Sequence, residues 1–180
     1  MKNGKPLKSS TVALCGVASA LAMVIMLAGS IAGLGVYAAP MLAGIVLSTV
    51  GLKAGRRAQL AAYVCVGALS AILLGDWEEI LMFVCVFGWY PAARPAFEKL
   101  PKQLRLPVKA LALNIPAVGT EWLVMKVLAP ESETAVMLLA LWVMGNAVFV
   151  LYDRLIPRLE NVIVRRLRIG GGNQWKEKQK

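Results

Sequence analysis

Histidine is missing from this 180-residue chain altogether. That absence removes the usual general base at neutral pH, every Ser-His or Cys-His nucleophile pair, and every imidazole metal ligand. Charge is scarce as well: 17% of residues are charged, against roughly 25% in a soluble domain. The three cysteines, Cys15, Cys65 and Cys85, are far apart and set in apolar runs. They read as small packing residues rather than as a disulfide framework. No Gly-rich phosphate loop is present, and neither a metal site nor a cofactor is expected.

What is present is apolar. Hydrophobic residues make up 58% of the chain, and the mean hydropathy is +0.65. A chain this short has too little interior to hide so much apolar surface from water. Disorder and a water-soluble enzyme are thereby excluded, and lipid is the natural solvent. The net charge of +10 then reflects orientation across a bilayer, because cytoplasmic loops collect Lys and Arg. No nucleic-acid partner is expected.

Charge-free runs predict an all-α, polytopic membrane bundle of six transmembrane helices. No charge occurs between Lys8 and Lys53, which leaves room for two spans of about 20 residues each. Gly29-Ser30 and Gly33-Leu34-Gly35 mark the turn between them. The expected spans are 11–28, 36–52, 58–75, 77–93, 108–129 and 134–152, in one domain covering 1–169. A cytoplasmic amphipathic segment follows at 153–169, and 170–180 reads as a basic disordered tail. The fourth span opens with Glu78 and Glu79 and is expected to be tilted or broken at Pro91.

The charges test that count. With six alternating spans, Lys2, Lys5, Lys8, Lys53, Arg56, Arg57, the basic residues of 94–109 and those of the C-terminal segment all fall on one side. The other side receives Asp76, Glu78, Glu79, Glu131 and Glu133, with Lys126 the lone basic residue near it. Both termini are therefore expected in the cytoplasm, in the plasma membrane. A cleaved signal peptide is the rival for the first span. Its apolar core is about 7–15 residues, and the run here is far longer, so an uncleaved helix is expected.

Polar groups inside a span are expensive and point to function. Glu121 and Trp122 lie in the outer half of the fifth span, and Asn146 lies near the middle of the sixth. Trp77 and Glu79 begin the fourth. An outward-facing pocket lined by Glu121, Trp122, Trp77, Glu79 and Asn146 would suit a small polar or cationic molecule. Plainer roles compete: Trp77 and Trp122 in the interfacial aromatic belt, and Glu121 paired with Lys126. Five positions are roughly 140° around a helix, which points the last two to different faces. The adjacent Glu78-Glu79 resembles the acidic pair of intramembrane CAAX-type proteases, but those also use His. No catalytic residue is assigned, and an enzyme is not expected.

On the cytoplasmic side, Pro95, Pro101 and Pro107 punctuate what reads as a short basic loop. Beyond the sixth span, Leu155, Leu159, Val162, Ile163 and Leu167 alternate at helical spacing with Arg158, Arg165, Arg166 and Arg168. That pattern suits the anionic inner leaflet.

Small residues crowd the first span. Ala18-x-x-x-Ala22 and Gly16-x-x-x-Ala20 each put small side chains one turn apart, where backbones can approach closely. Such a face serves either internal packing or docking of another membrane subunit. Six spans, inside termini, this length and the Ala18/Ala22 pair together resemble the substrate-binding S component of an energy-coupling factor (ECF) transporter. The resemblance implies a micronutrient or vitamin-like substrate held near the outer side. It also implies docking, through Ala18 and Ala22, on a transmembrane coupling subunit driven by two cytoplasmic ABC ATPases. No signature names the substrate. Two other readings stay open: a membrane scaffold resembling MreD-like subunits, and an autonomous small transporter.

Overall fold

A computed structural model describes residues 9–33, 35–124, 126 and 135–167. Among these residues the chain is all helical, with no strand. In order come α1 (Ser9–Ala32), α2 (Gly35–Ala54), α3 (Arg56–Leu73), α4 (Trp77–Met82), α5 (Tyr90–Phe97), α6 (Lys102–Leu123) and α7 (Ala135–Leu167). A π-helical turn, Phe83–Phe87, fuses α4 to α5. Three stretches, Ser9–Ala32, Val36–Ala54 and Trp77–Phe97, are long and apolar enough to cross a membrane. The outward faces are apolar too: Val17, Ile31, Ile72 and Leu106 are each at least 69% exposed, a surface made for hydrocarbon rather than water. Lys2, Lys5 and Lys8, Glu131 and Glu133, and the basic tail from 168 onward lie outside the described residues.

Helices α1, α2 and α3 pack closely because their facing side chains are small. Ala22, Ala43 and Ala62 are buried together with Met26, Leu47 and Val66, while Ala18 sits against Val50 and Ala58. The turns between these helices use Gly33 and Gly55, whose φ of +66° and +86° lie in the left-handed region that favours glycine. Ala18 and Ala22 are thus 5% and 0% exposed, covered by α2 and α3. The pair expected as a docking face is thus engaged within the chain, where its small size serves the packing of α1 on α2 and α3. The Gly16/Ala20 pair lies on the exposed side of α1, with nothing within 4 Å of where a Gly16 Cβ would stand.

The fourth rod is broken, and its break has a local cause. Asp76 caps it, accepting hydrogen bonds from the backbone N–H of Glu78 (3.0 Å) and Glu79 (3.2 Å). Further along, Gly88 N–H bonds to Phe83 O at 2.7 Å, one residue beyond the α-helical partner. That shift leaves Val84 O without its usual donor, and Tyr63 Oη donates to it at 2.7 Å. Pro91 has no N–H to give Phe87 O, and Tyr152 Oη donates there at 2.8 Å. Trp89 Nε1 donates to Cys85 O at 2.7 Å. Three aromatic side chains thus satisfy carbonyls that hydrocarbon could not. A Cβ on Gly88 would stand 2.6 Å from the Tyr63 ring and 2.8 Å from Phe83 O, so the bulge needs glycine there.

The basic segment 94–109 is mostly helical rather than the loop its prolines suggest. Helix α5 runs to Phe97, and α6 begins at Lys102 with Pro101 in front of it, six residues before the expected start. Three of the segment's five basic side chains, Arg94, Arg105 and Lys109, are paired. Lys109 Nζ lies 2.6 Å from Glu98 Oε1 and 3.0 Å from Asp153 Oδ1, and Arg105 Nη1 lies 2.8 Å from Glu98 Oε2. Arg94 Nε stands 3.1 Å from Asp153, whose Oδ1 also accepts from Tyr90 Oη at 2.6 Å. Burial alone would raise the Asp153 carboxyl, but the hydrogen bonds from Tyr90, Lys109 and Arg94 outweigh it and hold the group below the ordinary carboxylate range. This network ties α5, α6 and α7 at one end of the bundle. Helix α7 continues through Tyr152 and Asp153 without a break, so the expected sixth span and the segment after it form one rod.

Candidate functional site

A cavity of about 250 Å³ lies between α2, the fourth rod, α6 and α7. Met82, Val86 and Phe87, from the end of α4 and the π turn, form one wall. Helix α6 supplies Leu113, Asn114, Ala117, Val118, Glu121 and Trp122, and α7 supplies Trp142, Gly145, Asn146 and Phe149. Tyr37, from the first turn of α2, closes the end where α6 finishes. The volume equals that of about eight water molecules at ~30 Å³ each. It is slightly below the range of drug-sized sites.

Three of the five expected ligand residues meet here. Glu121, Trp122 and Asn146 line the cavity, from two helices whose Asn114 and Asn146 face each other. The other two do not line it. Trp77 is 52% exposed at the start of α4. Glu79 is fully buried, and neither of its carboxylate oxygens has a hydrogen-bond partner among the described residues. It occupies the same helical face as Met82 and Val86, at the preceding turn.

Glu121 is held by Tyr37, whose hydroxyl donates to Oε1 at 2.7 Å. That contact spans 84 positions of sequence, which is why it is invisible in the pattern around Glu121. The two asparagines hold each other. Asn114 Nδ2 donates to Asn146 Oδ1 at 2.9 Å and to Ala110 O at 2.9 Å. Asn146 Nδ2 donates to Asn114 Oδ1 at 3.0 Å and to Trp142 O at 2.9 Å. Both N–H groups of each amide are therefore engaged. Toward the cavity the pair offers oxygen lone pairs, not donors. Sequence reasoning placed Asn146 in the site but missed Tyr37, Phe87, Trp142 and Phe149. A period-3.6 count along α7 from Asn146 would have raised Trp142 and Phe149.

Among the described lining residues, Glu121 is the one that carries a formal charge. No group of three His, Cys, Asp or Glu able to hold a metal ion occurs among the described residues. No protein-family model, no curated protein and no solved structure matches this chain.

Proposed function

We propose that this chain is an integral membrane substrate-binding protein of six spans, with both termini cytoplasmic. A small molecule enters its cavity from the outer side for uptake. The carrying observation is the cavity itself: an aromatic, apolar chamber between α2, α6 and α7 with one held carboxylate at the end where α6 finishes. A membrane scaffold has no use for such a chamber. The positive-inside distribution supports an outer position for that end and an inner one for Lys53, Arg56, Arg57 and the Lys109–Asp153 network.

Within that reading, the S component of an ECF-type micronutrient transporter is the functional class that fits size and topology best. A coupling subunit with its ABC ATPases would then dock on α1 through the open Gly16/Ala20 side, since Ala18 and Ala22 are occupied by α2 and α3. The same burial favours an autonomous small transporter as the second reading, because the Ala18/Ala22 pair that carries the resemblance is used internally. Topology reporters test the frame. Fusions after Lys180 and within 94–109 should read cytoplasmic, and insertions near Asp76 and at Ser132 external. Reporters at 105 and 132 on one side would end the six-span reading. Co-purification of a coupling subunit, lost in Gly16→Leu but not in a lipid-facing control such as Ile72→Ala, separates the two transport classes.

A further inference from the structure

Independently of what the chamber holds, we infer that Glu79 is a proton-binding site: its carboxyl is held as a neutral acid inside the bundle and releases the proton when the arm Trp77–Met82 opens to water. Glu79 is 0% exposed, and neither carboxylate oxygen has a hydrogen-bond partner among the described residues. A local partner was within reach. Asp76 caps α4, and Glu79 stands three residues on, the spacing at which a glutamate folds back onto the N–H of the capping residue. Only the Asp76 half of that exchange forms, through the Glu79 N–H at 3.2 Å, and the Glu79 side chain turns inward instead. An ionised carboxylate buried without a partner is among the costliest groups a fold can hold, so such a group keeps its proton. The helix N-terminus favours a negative charge here, but that effect is small beside full desolvation.

The elements packed on α4 bring Glu79 no counter-charge among the described residues. These are α2, α3, α6 and the π turn. From α2, Tyr37 donates to Glu121 of α6; from α3, Tyr63 donates to Val84 O. The thiols of Cys65 and Cys85 carry no positive charge, and Asp76 and Glu78 on the arm itself add only negative charge. Lys53, Arg56 and Arg57 lie around the α2–α3 turn, Lys102, Arg105 and Lys109 in the first turns of α6, and Lys126 is exposed. A hard metal ion takes six or more oxygens, whereas a proton needs one. The arm is a short piece between two irregular points, the bend at Gly75 and the π turn Phe83–Phe87, and such turns mark functional positions in helices. Met82, one turn along on the face of Glu79, is a wall of the chamber. Moving the arm therefore reshapes the chamber and wets the carboxyl together. A wetted glutamate is ionised at neutral pH, its ordinary value being about 4.3. Opening and proton release are one equilibrium, and higher pH favours the open form.

The chain has no histidine, so no side chain at its ordinary value changes charge between pH 5 and 8, and the background for a test is clear. Infrared spectra of the full-length protein in detergent at pH 7 should show the carbonyl band of a protonated carboxylic acid. Glu79→Gln should remove it, and so should Glu79→Leu, which leaves no buried amide to satisfy if the first variant folds poorly. Between pH 6 and pH 8 the unfolding equilibrium constant of the native protein should rise about tenfold per pH unit, the linkage of one proton released on unfolding, and stay flat in the variants. Hydrogen exchange at the amides of 79–83, corrected for its base-catalysed chemical rate, should lose protection over the same range in the native protein alone. No protonated-acid band in the native protein at pH 7, or a band that survives both substitutions, overturns the proton site. Equal protection of the arm at pH 6 and pH 8 overturns its coupling to opening. The topology reporters and the search for a bound guest are unaffected by either result, so the membrane-binding reading stands or falls separately.

Discussion

Two parts of this molecule solve the same problem in opposite ways. Helices α1 to α3 meet through Ala18, Ala22, Ala43, Ala58 and Ala62, and the space between them is filled. Helices α4 to α7 meet through large rings, paired amides and a charge network, and a chamber is left among them. In hydrocarbon no hydrophobic effect draws helices together, so association rests on close packing or on polar bonds. Close packing leaves no room for a guest. Polar ties hold helices apart at fixed distances, and the guest's space is what remains. The bundle thus divides into a packed scaffold and a site.

The largest effect should come from cutting the network that ties the open half. Lys109→Met leaves Asp153 and Glu98 short of a buried cation; the Lys109 side chain is only 6% exposed. Breaking a buried pair from one side costs about 3–5 kcal/mol, readable as a drop in chemical-denaturation midpoint. A loss below about 1 kcal/mol would mean that Arg94 and Arg105 hold the helices without it.

Overfilling the closed half comes next. Ala22→Leu forces three extra carbons between α1, α2 and α3 and should cost roughly 1–3 kcal/mol. Unchanged melting with loss of a binding partner would return Ala22 to a docking face. The Asn114–Asn146 pair is worth less. Asn146→Leu should cost about 0.6–2 kcal/mol, the range measured for hydrogen bonds between membrane helices. Adding Asn114→Leu should recover part of it, because the amide left alone is removed.

The smallest effect is a pH dependence. Asp153 is held below its unfolded value of about 3.9. Its contribution is therefore complete above that value and fades as pH falls through the lowered native one. Melting temperature should decline below pH 4 more steeply in the native protein than in Asp153→Asn.

How much of this was legible in the sequence follows the same division. Charge-free runs located the helices of the closed half, because apolarity and length are local properties. Which face of α1 would be covered was not legible, since Ala18/Ala22 and Gly16/Ala20 have the same spacing and the partners come from α2 and α3. In the open half, prolines misled: Pro95 and Pro107 lie inside helices whose charges find Glu98 and Asp153 across the bundle. Glu121, Trp122 and Asn146 were visible as polar or aromatic outliers in apolar runs. Tyr37 was not, because its role depends on a contact 84 positions away. Trp77 and Glu79 were drawn in by nearness to the outer loop, yet α4 turns one to the surface and the other into the interior.

Whether the chamber holds a guest at all is the claim on which the rest depends. Native mass spectrometry of the detergent-purified protein measures it directly. The account predicts a low-mass species bound one to one in the native chain. An empty native protein would contradict it.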